Sequence, residues 1–101
     1  KTFTATLILS LIGDRALSLK TPVRDILGAD LPLIAADVTV DHLLTHTSGI
    51  GDYLDEEIDA LAPLPIPVQD LDSTAAYLPL LDGHPAKFPA GERFSYCNSG
   101  Y

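Results

Sequence analysis

The stretch PAGERFSYCNSGY, residues 89–101, combines three local signals within a short length of chain. Residues 89–91 are typical turn residues, and residues 94–96 follow as a short extended piece. Asn98 is of a residue type that commonly caps the N-terminus of a helix. The stretch therefore predicts a turn, an extended segment and the start of a helix.

At the other end of the chain, residues 1–12 have the apolar spacing of a helix. Phe3, Leu7 and Leu11 form one ridge, and Gly13 is a suitable stop. After Leu7 the helix is apolar nearly all round, so we expect it to lie inside a protein and to be covered on every side. A chain of this size buries only about 60–65% of its surface. We therefore expect further chain to cover this helix.

Between these ends the pattern predicts short helices joined by long connections. Few β-branched residues occur in alternating runs, so we expect no sheet. The fold class expected from the residues is mostly α with long loops. The expected helices run from Pro22, capped by Thr21, to about Gly28; from the cap Thr39 to about His46; across Asp55 to Leu61; and from Ser73, capped by Asp72, to about Leu81, with Pro79 kinking or ending the last one.

Composition and charge exclude several classes of function. The chain has 101 residues, with six Lys and Arg against fourteen Asp and Glu, and a net charge of −8. Like charges repel, so nucleic acid and anionic membrane surfaces are not expected partners. The longest apolar run, residues 7–12 around Ser10, is far shorter than the roughly 20 residues that span a bilayer. One cysteine, and histidines without zinc-type spacing, predict neither an intrachain disulfide nor a metal site.

Three segments carry the functional signal. They are KTFTA at residues 1–5, LLTHTSGI at residues 43–50, and the stretch at residues 89–101. In this order and at these separations they resemble the serine β-lactamase and penicillin-binding protein family, above all its branch of class C β-lactamases, D-alanyl-D-alanine carboxypeptidases and family VIII esterases. The resemblance implies that residues 1–101 are a partial domain, the helical-lobe portion of the α/β β-lactamase-like (transpeptidase) fold.

The resemblance also implies site residues. Lys1 matches the lysine of the family's Ser-x-x-Lys motif, and residues 96–98 match its Tyr-x-Asn motif. The motif's serine would lie three residues before Lys1, and the family's third motif would lie far downstream. We therefore expect Lys1 and Tyr96 to be catalytic in the intact protein and Asn98 to bind substrate.

The resemblance further implies the chemistry and the setting of the intact protein. Its substrates would be β-lactams, D-alanyl peptides or small esters, and no metal or organic cofactor is implied. Relatives of this kind are often exported or membrane-anchored. The chain starts on a lysine and contains no Met, so we expect its natural N-terminus to lie upstream.

The spacing of the first motif has a physical reason. Residues i and i+3 on a helix lie about 5–6 Å apart on one face, so the expected serine would lie beside the Lys1 ammonium. A serine hydroxyl is a poor nucleophile until a base takes its proton. Two schemes remain open, with either a Tyr96 phenolate stabilised by the nearby cation or a neutral Lys1 as the base. The Asn98 amide can donate and accept hydrogen bonds to a substrate amide.

The three candidates also have ordinary structural interpretations. Without the rest of the pattern, Lys1 is an exposed terminal lysine. Tyr96 is then a half-buried aromatic residue with a hydrogen-bonded hydroxyl, and Asn98 is a helix cap.

Other side chains near the motifs carry weaker predictions. We expect His46 and Ser48 to belong to a helix end, and not to act as a general base or a nucleophile. Cys97 is expected to be a small filler that points away from the pocket. A role in substrate selection is predicted for Tyr53 or Leu54, which follow the second motif.

Two alternatives to a hydrolase remain at this stage. A non-hydrolytic binding or sensing protein retains the fold and has lost turnover, and a residue other than serine three positions before Lys1 would favour it. A self-contained helical module is the second alternative, and a cooperative thermal melt of the isolated chain would favour that one.

Overall fold

The computed structural model describes residues 1–55 and 63–101, and its regular structure is helical. Among these residues, extended pairing is limited to one bridge between Pro22 and Thr39. The prediction of a mostly helical chain with long connections and no sheet is therefore confirmed. The elements are α1 (Thr2–Gly13), α2 (Val23–Leu27), α3 (Val40–Leu44), two 3-10 helices (Val68–Asp70 and Ala75–Tyr77) and α4 (Leu78–Leu81).

Helix α1 is largely exposed. No residue in it is buried, and Phe3 on its apolar ridge is 87% exposed. The described residues pack against it along one flank, where Thr4 and Ile8 line a groove with α2 and α3. This matches the expectation that residues 1–101 do not cover the helix, and its cover by further chain stays a prediction. The helix also includes Gly13, which was predicted as its stop, and Asp14 takes the C-cap position instead.

A short antiparallel pairing holds the starts of α2 and α3 together. The Val23 N–H donates to the Val38 carbonyl at 2.8 Å, and the Val40 N–H donates to the Thr21 carbonyl at 3.1 Å. The N-cap of α2 is Pro22 and not the predicted Thr21. The prediction is wrong because the Thr21 hydroxyl accepts a backbone N–H of the preceding turn instead.

Helix α3 begins as predicted and ends early. Thr39 caps it: the hydroxyl accepts the His42 N–H at 3.4 Å, and His42 Nδ1 accepts the Thr39 N–H at 3.2 Å. The helix was predicted to reach His46, but it ends at Leu44 with Thr45 as its C-cap. His46 has φ 56°, a left-handed conformation that cannot continue a right-handed helix. The helix therefore ends before this residue.

The helix predicted over residues 73–81 is divided in two. A 3-10 turn at residues 75–77 runs directly into α4, and Pro79 lies in the first turn of α4, where its lack of an N–H removes no helical hydrogen bond. Asp72 was predicted as the cap, and this is wrong because the Ser73 hydroxyl accepts the backbone N–H three residues on, at 3.3 Å.

Two further expectations concern short segments. The helix predicted across Asp55 to Leu61 falls almost wholly on residues that lie outside the described part of the chain. Residues 98–101, where a helix is expected to start and to continue past residue 101, form a turn in which the Tyr101 N–H donates to the Asn98 carbonyl at 3.3 Å. The helix itself stays a prediction. Within residues 1–55 and 63–101, no helix has both the length and the hydrophobicity of a membrane span.

The core lies between α2, α3 and the last segment of the chain. Cys97 is only 3% exposed there, so its predicted role as a small filler is confirmed. The cluster ties residues 89–101 to the two short helices and thereby positions the polar side chains next to Cys97. Its buried members are Val23, Val38, Ile50 and Cys97, and Leu27, Ile34, Leu43 and Ala90 pack against them.

Candidate active site

The site is built where the last segment of the chain pairs with the turn that follows α3. The Gly91 N–H donates to the Thr47 carbonyl at 2.8 Å, and the Ser95 N–H donates to the His46 carbonyl at 2.9 Å. These bonds lay the PAGERFSYCNSGY segment along the LLTHTSGI turn. The two stretches that stand out in the sequence are therefore neighbours in space.

The glycine of the turn makes this approach possible. Gly49 has φ 66°, which disfavours any residue with a side chain. A Cβ at this position would collide with the Phe88 carbonyl oxygen and would lie 2.8 Å from a carbon of the Phe88 ring. Only glycine lets the two segments come this close.

The Asp52 carboxylate organises the end of the last segment. It is 9% exposed. Oδ2 accepts the Asn98 N–H at 2.6 Å, and Oδ1 accepts the Ser99 N–H at 2.9 Å and the Ser99 hydroxyl at 3.0 Å. Oδ1 also accepts the Leu54 N–H at 3.3 Å. Because charged hydrogen bonds in a poorly solvated place are stronger than neutral ones, this carboxylate holds both segments in one geometry.

The three predicted site residues lie together. Lys1 Nζ donates to Asn98 Oδ1 at 3.2 Å and lies 5.3 Å from the centre of the Tyr96 ring. The same ammonium lies 5.5 Å from the centre of the Tyr101 ring. The N-terminal end of α1 therefore brings its lysine onto the phenol and the amide of the Tyr-x-Asn stretch. Catalytic roles for Lys1 and Tyr96 and a substrate-binding role for Asn98 remain predictions.

The Asn98 side chain is fixed by hydrogen bonds to the segment that follows the turn. Its Nδ2 donates to the Leu54 carbonyl at 3.0 Å and lies 3.4 Å from Asp52 Oδ2. Its amide nitrogen is thus committed to the protein, and its Oδ1 faces Lys1. An amide oxygen has two lone pairs, so one remains for a donor other than Lys1.

His46 forms the back wall of the site. Its ring stacks on Tyr96 at 4.6 Å and on Tyr101 at 5.1 Å between ring centres. Its Nδ1 accepts the Cys97 N–H at 3.1 Å. Burial, and then the positive charge of Lys1, lower the pKa of His46 below its usual value. This agrees with the prediction that His46 is not a general base, since the nitrogen that accepts the Cys97 N–H is already occupied.

A cleft opens beside these residues. It has a volume of about 460 Å³. Tyr53 lines it, as expected if Tyr53 contacts substrate, and burial followed by the Asp52 charge raises the pKa of the Tyr53 phenol. Leu54 contributes its carbonyl to Asn98. The residues that line the cleft are Lys1, Thr4, Tyr53, Thr74, Tyr77, Leu81, Asn98, Ser99 and Tyr101.

Two other nucleophile types lie near the site, and neither is accessible. Ser48 is buried, and its hydroxyl accepts the Ile50 N–H at 3.5 Å. Cys97 is buried in the core, and burial raises the pKa of its thiol to about 11. In residues 1–55 and 63–101, no group of three or more His, Cys, Asp or Glu side chains is placed to hold a metal ion.

Sequence reasoning missed two contributors to the site. Asp52 lies three residues after Gly49 in a stretch that reads as a solvated acidic loop, so its carboxylate gave no distinct signal. Tyr101 was not assigned a role, yet its hydroxyl donates to the Leu44 carbonyl at 2.8 Å and its ring completes the aromatic stack. Both depend on contacts between distant parts of the chain, which no local pattern encodes.

Comparison with known proteins gives a family match and a structural match. The family model for Beta-lactamase matches residues 1–101. The chain is also similar to a penicillin binding protein from Bacillus halodurans, with a TM-score of 0.82 and 42% sequence identity, over 98% of this chain and 30% of that one. This chain thus spans less than a third of that protein's length. No curated protein sequence matches it significantly.

Proposed function

Because the chain belongs to the Beta-lactamase family, we propose that the intact protein is a serine hydrolase that works through an acyl-enzyme. In this proposal residues 1–101 are part of a larger domain, and a serine three residues before Lys1 is the nucleophile. The substrates are β-lactams, D-alanyl peptides or small esters. The similarity to a penicillin binding protein supports this class of substrate.

The observation that carries the proposal is the meeting of Lys1 with the Tyr-x-Asn stretch. The Lys1 ammonium bonds Asn98 at 3.2 Å and lies 5.3 Å from the Tyr96 ring centre. A serine one helical turn before Lys1 would share its face of the helix. A hydroxyl, a cation and a phenol would then converge beside a cleft that is large enough for a small acyl compound.

The proposed reaction has two stages. In acylation, the serine oxygen bonds to the carbonyl carbon of the substrate while its proton passes to Tyr96 or Lys1. The C–N or C–O bond from that carbon to the leaving group then breaks, and the leaving nitrogen or oxygen takes up the proton. In deacylation, water attacks the ester and restores the serine. Either residue can be the base: a phenolate is stabilised by a cation beside it, and a lysine is a base when it is neutral.

Asn98 has a double role in this proposal. Its Oδ1 accepts from Lys1 and so keeps the ammonium at the mouth of the cleft. The second lone pair of the same oxygen accepts an N–H from the amide side chain of a substrate. This fits substrates with an amide next to the reacting carbonyl, as β-lactams and D-alanyl peptides have.

The test is the acylation rate of the full-length protein with nitrocefin and with a p-nitrophenyl ester. Lys1→Ala and Tyr96→Phe should each slow acylation at least about a hundredfold, the usual scale for groups that transfer a proton. Lys20→Ala is the matched control, because Lys20 is an exposed lysine away from the cleft. Near-normal turnover in both site variants refutes their assigned roles.

The residue three positions before Lys1 in the parent gene separates the hydrolase from a non-hydrolytic relative. Serine there supports the hydrolase. A residue without a nucleophilic side chain supports a binding or sensing protein, and in that case nitrocefin would bind without being turned over.

A further inference from the structure

His46 touches the Tyr96 segment at three points. The His46 carbonyl accepts the Ser95 N–H at 2.9 Å, and its Nδ1 accepts the Cys97 N–H at 3.1 Å. Between these two bonds its ring stacks on the Tyr96 ring with 4.6 Å between centres and 26° between planes. The residues before and after Tyr96 and the Tyr96 ring itself are therefore all fixed by one residue.

A second tyrosine backs this contact. Tyr101 stacks on His46 at 5.1 Å, and its hydroxyl donates to the Leu44 carbonyl at 2.8 Å, so its ring is anchored at the far end. Phe94 meets the edge of the same imidazole at 5.9 Å. The imidazole thus has little room to rotate. The Tyr96 ring, which stacks on this imidazole, is therefore also held in place.

The backbone of His46 is adapted to this task. Its φ of 56° turns the chain sharply after α3, and asparagine and histidine are among the non-glycine residues that adopt this conformation most readily. The sharp turn points the carbonyl and the ring of one residue toward the same segment. If the helix continued through His46, the His46 carbonyl would bond within the helix, and only the side chain could contact the Tyr96 segment.

We infer that His46 is a positioning residue for Tyr96, holding the phenol against Lys1 through a neutral imidazole whose Nδ1 accepts the Cys97 N–H. This rests on the proposed function, since Tyr96 acts in acylation there. It assigns a role to the histidine of the LLTHTSGI stretch that is neither general base nor simple helix end. A neutral ring with a bonded Nδ1 carries its proton on Nε2.

The charges around His46 favour that neutral form. Lys1, from the start of α1, and Asp52, from the segment after the turn, act on the ring in opposite directions, and the rings of Tyr96 and Tyr101 both stack on it. Burial and Lys1 outweigh Asp52, so the pKa of His46 falls below its usual value. At pH 7.5 the ring is neutral and its Nδ1 lone pair is available to Cys97.

A double-mutant cycle in the full-length protein tests the inference. His46→Asn retains an acceptor oxygen and tolerates the left-handed turn but removes the stacked ring, so acylation by a fluorescent penicillin should slow about tenfold, the scale of one aromatic pair. In the Tyr96→Phe background the same substitution should change the rate less than about twofold, because there is no phenol left to position. His84→Asn, at a histidine that bonds the Leu80 carbonyl away from this cleft, is the control.

Each outcome of the cycle decides something. An equal loss in both backgrounds means that His46 acts on the fold in general and overturns the inference. If Tyr96→Phe alone acylates at the wild-type rate, the proposed function of Tyr96 fails, and the positioning role fails with it. If His46→Asn acylates normally while Tyr96→Phe does not, the proposed function stands and only the inference about His46 is overturned.

The tautomer of His46 gives a measurement that needs neither activity nor a stable variant. Long-range ¹H–¹⁵N correlation spectra of the wild-type full-length protein at pH 7.5 should show His46 with a proton on Nε2 and none on Nδ1. A proton on Nδ1 would leave the Cys97 N–H without this acceptor. That result overturns the inference whether or not the protein is a hydrolase.

Discussion

The Asp52 carboxylate offers the sharpest test of how the site is assembled. Its two oxygens accept N–H or O–H groups from Leu54, Asn98 and Ser99, on both segments that form the cleft wall. The substitution Asp52→Asn retains the shape of the side chain and replaces one acceptor oxygen by an NH₂ group. If the remaining oxygen keeps the three partners of Oδ1, the NH₂ group faces the Asn98 N–H, which now lies 2.6 Å from Oδ2.

The expected loss of stability follows from this one unfavourable contact, in which two hydrogen-bond donors face each other. A hydrogen bond to a charged group contributes about 1.5–3 kcal/mol, and leaving a buried N–H without an acceptor costs about 1–3 kcal/mol. These two estimates overlap, so we expect Asp52→Asn to lower the free energy of unfolding by about 3 kcal/mol. Since about 1.4 kcal/mol corresponds to a factor of ten, the unfolding equilibrium constant should rise about a hundredfold.

Urea denaturation of the full-length protein measures this change. Asp72→Asn is the matched control: it removes the same charge at an exposed position, where substitutions usually stay within about 0.5 kcal/mol. The acylation assay adds a second measurement, because a displaced Asn98 no longer holds Lys1. If Asp52→Asn and Asp72→Asn have equal unfolding free energies, the carboxylate does not organise the site and the reasoning from its hydrogen bonds is wrong.

Two further predictions concern the packing around the site. Gly49→Ala should lower the unfolding free energy by about 2 kcal/mol more than Gly83→Ala in urea denaturation: both glycines have positive φ, but a Cβ collides with Phe88 only at position 49, and equal losses would contradict the close approach. Burial raises the pKa of Cys97 to about 11, so at pH 8 about one thiol in a thousand is ionised. Iodoacetamide should therefore label Cys97 only after the protein is unfolded in urea, as measured by mass spectrometry. Rapid labelling of the folded protein would show that the thiol is neither buried nor protonated.

Local signals predicted several elements well. Thr39 was identified as a cap because a threonine before an apolar helical repeat satisfies free N–H groups in any context. The scarcity of alternating β-branched residues predicted no sheet, and residues 1–55 and 63–101 contain none. The prediction failed at Thr21 and Asp72. The N-cap of α2 is Pro22, and the Ser73 hydroxyl, in place of the Asp72 carboxylate, accepts the Ala76 N–H.

The exposure of α1 shows what the hydrophobicity of a helix predicts and what it leaves open. Its sequence is that of a helix covered on every side, and the described residues cover only one flank. The hydrophobicity of a helix predicts that its surface is buried, but it does not predict which part of the protein buries it. The chain spans 30% of the structural relative's length, which is consistent with a larger domain supplying the cover.

The resemblance of Lys1, the LLTHTSGI stretch and the Tyr-x-Asn stretch to the motifs of a known family was enough to identify the family and to nominate the three candidate residues. Each motif is itself a short stretch of chain, whose local geometry depends on residues close to it in sequence. Only the tertiary structure places Lys1 against Asn98, shows Asp52 bridging the two segments and stacks His46 on two tyrosines. Each of these contacts joins residues far apart in sequence, and their geometry is decided by how the helices and the last segment pack, which no local pattern specifies.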